Sequence, residues 1–383
     1  MATLVFFLAV ACSILSQTPE FLKSGVDQYL KLTWLLPFIV LIFENLRAFV
    51  NYKLFFFYSF VIVFFLYCLT LESVTGIKYV GADVYNIAIS LLVTVVSFAY
   101  WSKYGNERNL KTLVIILLIT GLYLSITVYT QYLSVASLSE RTYAFKAKNS
   151  MASILLNIII VAISCYIPKN GILKVASCLS LLLMLVIIFM LKSRATLCGF
   201  FFIVFYYVVK YNNFKIRLAV GLVCLVVVIY ILINPVAYEI IVEQILFGSR
   251  NASDIDDLSS GRVTLFMTQL KKIPGHEFFG TGNYYMDCFP LMMIVQYGIV
   301  GSGIVFAFLA KMAYTVTCKF KPRTGICLAS YLLFWSAIVN CLFEAQPPFG
   351  PGIKCFLIWT MIGFSFATIF TKRKRQSLKL DVV

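Results

Sequence analysis

The chain has 383 residues, of which 61% are hydrophobic and 13% charged, and its net charge is +16. A soluble domain is about half apolar and a quarter charged, so this composition excludes a single soluble core and predicts an all-α polytopic membrane protein. The positive charge does not predict nucleic-acid binding, because the basic residues lie in short loops between apolar segments. Most cysteines lie within those segments, where cysteine acts as a small apolar residue, so we predict no disulfide framework.

Apolar segments of about 15–20 residues, near the length that a helix needs to cross the hydrocarbon core, follow one another along the whole chain. They predict one membrane domain over residues 1–383, since backbone polar groups in lipid must be satisfied within their own helix. The first segment has no basic residues before it, so we expect a retained helix rather than a signal peptide. The predicted spans, about twelve in number, cover residues 2–16, 32–46, 54–71, 84–101, 112–130, 150–167, 172–191, 195–209, 218–234, 286–310, 325–343 and 353–371.

Basic residues are concentrated in alternate loops between the predicted spans. The positive-inside rule therefore places these loops, and with them both termini, in the cytoplasm. Acidic residues on the same side are few: Glu44, Glu107 and Asp381. The opposite face is close to neutral. The basic residues assigned to the cytoplasmic side are Arg47, Lys53, Lys103, Arg108, Lys111, Lys169, Lys174, Lys210, Lys215, Arg217, Lys311, Lys319, Lys321, Arg323, Lys372, Arg373, Lys374, Arg375 and Lys379.

One loop, residues 235–285, is much longer than the others and lies on the outer face in this orientation. Long loops of this kind are often functional. Apolar residues near helical spacing predict short amphipathic helices over 238–247 and 263–270, with Ser259 or Ser260 as a cap for the second helix. We expect a lid that lies on the membrane surface, and a purely structural cap is the alternative.

Arginine on the outer face runs against the positive-inside pattern and is therefore informative. Arg141 and Arg194 lie there in short loops, and Arg250 and Arg262 lie in the long loop. Guanidinium groups bind phosphate oxygens in bidentate pairs, so a cluster of them would suit a pyrophosphate head group on a lipid. The alternative is that each arginine pairs with a nearby acid or a phospholipid. For Arg194, which lies in a tight turn, we favour binding.

Acid–base chemistry at the outer face would need a carboxylate or an imidazole. Asp287 lies at the predicted outer edge of a span, where an ionisable residue is costly and often functional, and Glu344 begins a Pro/Gly-rich segment. Both are candidate catalytic residues, followed by Glu277 and His276. The alternative is that Glu344 caps a helix start and Asp287 pairs with an arginine. The aspartates within 254–257 read as a solvated loop start rather than a cation site, so we predict no metal.

Short motifs recur at the predicted span junctions and in the long loop. They are Ser193-Arg194-Ala195-Thr196, Lys148-Asn149-Ser150-Met151-Ala152, Ser260-Gly261-Arg262 with Phe279-Gly280-Thr281-Gly282, Arg250 and Gly261 with ten residues between them, Asp287 with Gln296-Tyr297-Gly298-Ile299-Val300-Gly301, and the segment 343–352 with Trp359. Over roughly residues 140–371 these stretches resemble the bacterial O-antigen polymerase and ligase superfamily. The segment 343–352 is the most specific match, and it resembles polymerases of the Wzy type.

The resemblance implies a polymerase with a membrane-embedded glycosyltransferase architecture of the GT-C type. Such an enzyme transfers a growing glycan from undecaprenyl pyrophosphate to the non-reducing end of a new lipid-linked repeat unit. The reaction takes place at the periplasmic face of the bacterial inner membrane and uses no nucleotide sugar or other cofactor. The implied partners are the undecaprenyl-pyrophosphate-linked oligosaccharide, membrane lipid and a polysaccharide chain-length regulator. The four outer-face arginines would bind the pyrophosphate, and Asp287 or Glu344 would act as the base.

Two other functions stay open. An O-antigen ligase moves the same donor onto lipid A-core, but ligases present a histidine where this chain reads Asn-Tyr-Tyr-Met-Asp over 283–287. A transporter of the same lipid would be expected to show internal repeats and ionisable residues in mid-span. Here the ionisable residues cluster at the ends of the predicted spans, and no repeat is visible. The polymerase is therefore the function that we expect.

Overall fold

The structure is a computed structural model that describes residues 1–132, 148–167, 171–210, 262–282, 286–321, 325–345, 347–350 and 353–380, together with part of 218–242. Every regular element in these ranges is a helix. In chain order the α-helices are α1 (Ala2–Leu15), α2 (Pro19–Ser24), α3 (Asp27–Leu30), α4 (Leu35–Phe49), α5 (Phe55–Thr75), α6 (Ala82–Tyr104), α7 (Glu107–Tyr132), α8 (Lys148–Cys165), α9 (Ile172–Met190), α10 (Arg194–Lys210), α11 (Pro235–Tyr238), α12 (Arg262–Leu270), α13 (Phe289–Tyr314), α14 (Gly325–Cys341) and α15 (Ile353–Leu380). Short 3-10 turns, Lys31–Trp34 and Tyr52–Leu54, precede α4 and α5, and a π-turn, Thr315–Lys319, follows α13.

Within the described ranges, 7 helical stretches are long and apolar enough to cross a membrane. The chain is thus a multi-pass membrane protein, as predicted, and its described part is all-helical. The stretches are Leu32–Phe49, Tyr52–Thr75, Ala82–Tyr104, Glu107–Gln131, Lys148–Cys165, Ile172–Met190 and Phe289–Lys319, and shorter apolar helices cover Ala2–Leu15, Gly325–Cys341 and Cys355–Ile369. The predicted span over 195–209 is helical as α10, and the one over 218–234 lies mostly outside the described residues.

Several spans are joined by short turns with defined caps. Helix α5 ends at Gly76, which has a φ of 70° and so adopts the left-handed conformation that glycine tolerates. The turn before α7 is held by Asn106, whose side-chain oxygen accepts a hydrogen bond of 2.8 Å from the backbone N–H of Asn109. Tight turns of this kind make neighbouring helices antiparallel, so alternate helix ends lie on the same side of the bundle.

The helix ends form two opposite faces. On the first, which we call the basic face, the ends of α4 and α6 meet where Lys103 Nζ lies 3.4 Å from Glu44 Oε2. On the second, the site face, the start of α13 meets the segment after α14, where the backbone N–H of Phe289 donates to the Glu344 carbonyl at 3.1 Å. The loops joining α4 to α5 and α6 to α7 lie on the basic face. In the predicted orientation this is the cytoplasmic side.

The core of the bundle is built around α6 and α15, which make the most extensive helix–helix contact in the described part of the chain. They approach closely at Gly363, where a Cβ would lie 2.5 Å from the Thr94 carbonyl oxygen, and small residues permit such backbone proximity in lipid. Beside this crossing Phe349 stacks on Trp359 with ring centroids 5.2 Å apart. Trp359 Nε1 donates to the Pro348 carbonyl at 2.7 Å. These contacts hold the segment that follows Glu344 against the core.

Helix α13 is interrupted at Gly298, which has φ 65° and ψ −173°. The backbone of residues 277–282 pairs with the interrupted stretch: the N–H of Ile299 donates to the carbonyl of residue 277 at 2.8 Å, and the N–H of Thr281 donates to the Val295 carbonyl at 2.8 Å. A Cβ at Gly298 would lie 2.3 Å from the Phe278 carbonyl. The span predicted over 286–310 is present as α13, but the interruption was not predicted, since hydropathy carries no signal for it.

Candidate functional site

A polar cavity of about 120 Å³ opens at the site face between α8, α10 and α12. It contains four cationic side chains and one carboxylate, drawn from segments far apart in the sequence. The residues that line it are Lys148, Asn149, Lys192, Arg194, Ala195, Arg262 and Glu344. Three predicted site residues, Arg194, Arg262 and Glu344, therefore lie together around one space.

Three helices bring cations to this cavity: α8 with Lys148, α10 with Arg194 and α12 with Arg262. Arg194 is the first residue of α10, where the helix carries partial positive charge and unpaired N–H groups, so a basic residue is disfavoured and an anion is favoured. The electrostatic cost at this helix start is offset if an anion binds beside it.

Arg194 is presented by the tight turn between α9 and α10. Lys192 in this turn has a φ of 49°, a left-handed conformation that costs a non-glycine residue about 1–3 kcal/mol and is concentrated at functional sites. Ser193 is only 1% exposed, and its hydroxyl lies 3.0 Å from that of Thr196. The turn is thus packed into the bundle and fixes where both cations lie.

Glu344 is buried, with 9% of its surface exposed. Asn149 Nδ2, at the start of α8, donates to Glu344 Oε1 at 2.6 Å, and the Glu344 carbonyl accepts from the N–H of Phe289. Side chain and backbone are therefore both anchored. The expectation that Glu344 caps a helix start stays a prediction, and the next helix along the chain, α15, begins at Ile353.

Asp287 is engaged with one of the predicted arginines. Its Oδ2 lies 3.1 Å from Arg262 Nη2, and the two side chains are 33% and 24% exposed. The alternative that Asp287 pairs with an arginine is thus confirmed. Asp287 is not among the residues that line the cavity, and its contact joins the start of α12 to the segment before α13.

The remaining candidates lie elsewhere. Arg141, Arg250 and the aspartates within 254–257 fall outside the described residues. Glu277 Oε1 accepts from the N–H of Gly275 at 3.0 Å, and the backbone N–H groups of Glu277 and Gly275 hold the pKa of this carboxyl below its ordinary value. A carboxylate with a lowered pKa is a weaker base. Glu277 is therefore better suited to holding the turn than to accepting a proton in catalysis. His276 is exposed in the same turn and does not line the cavity.

No protein-family model matches the chain, and no curated protein gives a significant match. The family resemblance is therefore untested by either comparison, and the functional argument rests on the cavity.

Sequence reasoning did not select three residues of the cavity: Lys148, Asn149 and Lys192. All three lie within or beside the segments that supplied Arg194 and the loop motif. The missed signal was that every cation at an outer span end is unexpected, lysine as well as arginine. Asn149 could not be selected for its contact, because 195 residues separate it from Glu344 in the sequence.

The arrangement has the chemistry of a site for a polyvalent anion beside a fixed carboxylate. Two guanidinium and two ammonium groups can bind phosphate oxygens, and Glu344 can accept a proton from a hydroxyl brought into the cavity. Among the residues that the structure describes, no group of three or more His, Cys, Asp or Glu side chains could hold a metal ion. The four cations that line the cavity can balance the charge of a bound anion.

Proposed function

We propose that the chain is an O-antigen polymerase, a membrane glycosyltransferase that extends a lipid-linked glycan. The observation that carries this proposal is the convergence of three helices and four cations on a cavity with one buried carboxylate. A diphosphate head group is an anion that this charge would fit. The sequence motifs that resemble the polymerase superfamily include the segments bearing Arg194, Arg262 and Glu344.

In the binding step, the pyrophosphate of an undecaprenyl-pyrophosphate-linked glycan lies among Lys148, Lys192, Arg194 and Arg262. The cavity has room for a head group alone. The lipid chain therefore extends into the bilayer and the glycan toward the aqueous side. Arg141 and Arg250 remain candidates for further contacts with the same head group.

In the transfer step, the bond between C1 of the donor sugar and the pyrophosphate oxygen breaks, and undecaprenyl pyrophosphate leaves with the electron pair. The acceptor hydroxyl on a new lipid-linked repeat unit forms the glycosidic bond to C1, and its proton passes to Glu344. The cations stabilise the charge that develops on the leaving group, which in such reactions supplies much of the rate. Asp287 holds Arg262 through its 3.1 Å contact and acts as a positioning residue.

The proposed enzyme has a defined location in the cell and a defined architecture. The basic face is cytoplasmic with both termini, and the cavity is periplasmic in a bacterial inner membrane. About twelve spans, as expected from the apolar segments, form one GT-C-type domain whose loop 235–285 covers the site. The enzyme works without a metal or other cofactor, and a polysaccharide chain-length regulator is its expected protein partner.

The decisive test is the glycan pattern of a strain that lacks the chain and is complemented with variants. We expect the deletion to leave lipid A-core bearing one repeat unit, and Arg194→Ala to behave in the same way with unchanged protein level. Loss of the bidentate guanidinium should lower polymer synthesis about 100-fold or more. Lys271→Ala, which removes an exposed cation outside the cavity, should restore full-length glycan.

The deletion phenotype also separates the rival functions. Bare core with accumulated lipid-linked polymer would indicate a ligase instead, and loss of even the single-unit product would indicate a transporter. Normal long glycan in the Arg194→Ala strain would remove this residue from the site. Arg194→Lys keeps the charge but loses the fork geometry, so we expect it to retain only partial polymerisation.

A further inference from the structure

A second pocket, of about 390 Å³, lies at the basic face between the start of α5, the end of α13 and α15. It is on the opposite side of the bundle from the candidate site and takes no part in the proposed transfer. Its volume is in the range of pockets that bind small molecules. The residues that line it are Tyr52, Lys53, Phe56, Phe57, Lys311, Met312, Thr315, Lys319, Phe320, Phe366 and Ile369.

The lining divides into a cationic part and an apolar part. Lys53, Lys311 and Lys319 supply three ammonium groups, and none of the described residues that line the pocket is acidic. The remaining surface is mainly aromatic and aliphatic, including Phe57 and Phe366. A ligand that satisfies both parts must carry negative charge at one end and hydrocarbon at the other.

The π-turn after α13 brings the charges of this pocket into line. In an α-helix, residues eight positions apart are offset by about 80° around the axis. The π-turn Thr315–Lys319, in which the N–H of Phe320 bonds to the Thr315 carbonyl at 3.0 Å, adds a residue to one turn and reduces that offset between Lys311 and Lys319. Such turns are rare and are found frequently at functional sites. Here the turn directs two lysines and Thr315 toward one pocket.

Other cations on the basic face have a different environment. Lys103 lies 3.4 Å from Glu44, and Lys111 lies 2.7 Å from Glu107. The charge of these lysines contributes to the orientation of the protein in the membrane, and this role does not require a pocket. The three pocket lysines instead come from two separate segments that tertiary packing brings together. Orientation alone does not explain this convergence.

We propose that this pocket binds an anionic phospholipid of the surrounding membrane. The phosphate of the head group lies between Lys53, Lys311 and Lys319, and the first carbons of the acyl chains run along Phe57 and Phe366 toward the bilayer. Basic pockets between spans at the membrane surface are known to recognise anionic head groups in this way. The site would tie the ends of α5, α13 and α15 to one lipid molecule.

The test compares two triple variants of the purified full chain in detergent. The first, Lys53→Gln with Lys311→Gln and Lys319→Gln, removes the pocket charges. The control, Lys103→Gln with Arg108→Gln and Lys111→Gln, removes the same charge from the same face. Binding of phosphatidylglycerol and of phosphatidylcholine is counted by native mass spectrometry. Each ammonium contributes about a fivefold factor in affinity for an anionic surface, so we expect the pocket variant to bind phosphatidylglycerol about 100-fold more weakly.

Binding of phosphatidylglycerol by the two variants decides the outcome, and phosphatidylcholine is the comparison lipid. Retention of phosphatidylglycerol by the control but not by the pocket variant supports the proposal, and equal retention by both variants overturns it. Displacement of phosphatidylglycerol by an equal concentration of glycerol phosphate would overturn the assignment to a lipid. If the pocket variant does not fold, acetylation of Lys311 and Lys319 in the unmodified chain decides. Phosphatidylglycerol must slow their labelling, and unchanged labelling would refute the site.

Discussion

Glu344 and Asp287 lie on the same face of the molecule but have different neighbours. The Glu344 carboxylate is buried, lines the cavity and accepts a hydrogen bond from Asn149. Asp287 is a third exposed and bonded to a guanidinium. A proton acceptor must be within hydrogen-bond reach of the reacting hydroxyl. This geometry favours Glu344 as the base and leaves Asp287 to position Arg262.

The two acids should therefore respond differently to removal of their charge. Glu344→Gln keeps the shape and the contact with Asn149 but cannot accept a proton, so we expect polymer synthesis to fall about 10²–10⁴-fold. Asp287→Asn should retain at least about a tenth of the rate, because Arg262 remains and only its orientation is loosened. The measurement is polymer formed from purified lipid-linked repeat units.

Glu277→Gln is the matched control, because it neutralises an exposed acid on the same face that the cavity does not include. It should leave the rate unchanged. A full rate in Glu344→Gln, or a greater loss in Asp287→Asn than in Glu344→Gln, would exchange the roles of the two acids.

At the scale of a secondary-structure element, the interruption of α13 is the least ordinary feature of the bundle. Gly298→Ala should lower the free energy of unfolding by about 3 kcal/mol. A Cβ there would meet the backbone of Phe278 and Phe279 at 2.3–2.4 Å, and the φ of 65° disfavours any side chain. Backbone atoms cannot move aside as a side chain can. The segment 277–282 would therefore separate from α13. The measurement is the melting temperature of the purified protein in detergent.

Gly303 in the same helix provides the control. A Cβ at Gly303 would meet nothing within 4 Å, and alanine is favoured over glycine in a helix interior by about 1 kcal/mol. Gly303→Ala should therefore keep or raise the melting temperature. Equal melting temperatures of the two variants would show that the interruption is not a structural requirement.

The elements that hydropathy predicts well are the spans whose ends coincide with a turn. The span predicted over 172–191 is the helix Ile172–Met190. The one predicted over 112–130 is longer, Glu107–Tyr132, because helical hydrogen bonding continues through polar residues that extend beyond the apolar window. The break at Gly298 and the π-turn Thr315–Lys319 were not predictable, since both depend on backbone pairing or local geometry rather than on composition.

At the scale of the whole molecule, the candidate site was partly predictable from the distribution of charge. Arg194 and Arg262 were indicated because arginine outside the cytoplasm runs against the overall charge asymmetry. Their proximity to Glu344 was not predictable, since it requires α8, α10 and α12 to meet around one cavity. The convergence arises because neighbouring helices run in opposite directions. It therefore cannot be predicted from any single segment of the sequence.

If the chain has the proposed function, the cationic cavity predicts that the whole molecule acts independently of metal ions. Because four basic side chains can neutralise a diphosphate, EDTA should leave the polymerisation rate of the purified protein unchanged. Strong inhibition by EDTA that Mg²⁺ reverses would contradict this. The aspartates within 254–257 would then be the first residues to replace.

The contact between Arg262 and Asp287 has a consequence for the continuity of the polypeptide. Lys271 and Lys272 are exposed immediately after α12, where trypsin can cleave. The two fragments would still be joined across the cut by the contact of Arg262 with Asp287 and by the packing of α6 against α15. Exposed loops anchored on both sides tolerate new termini. We therefore expect two tryptic fragments to copurify as one particle, and a circular permutant opened at this position to reach the membrane intact.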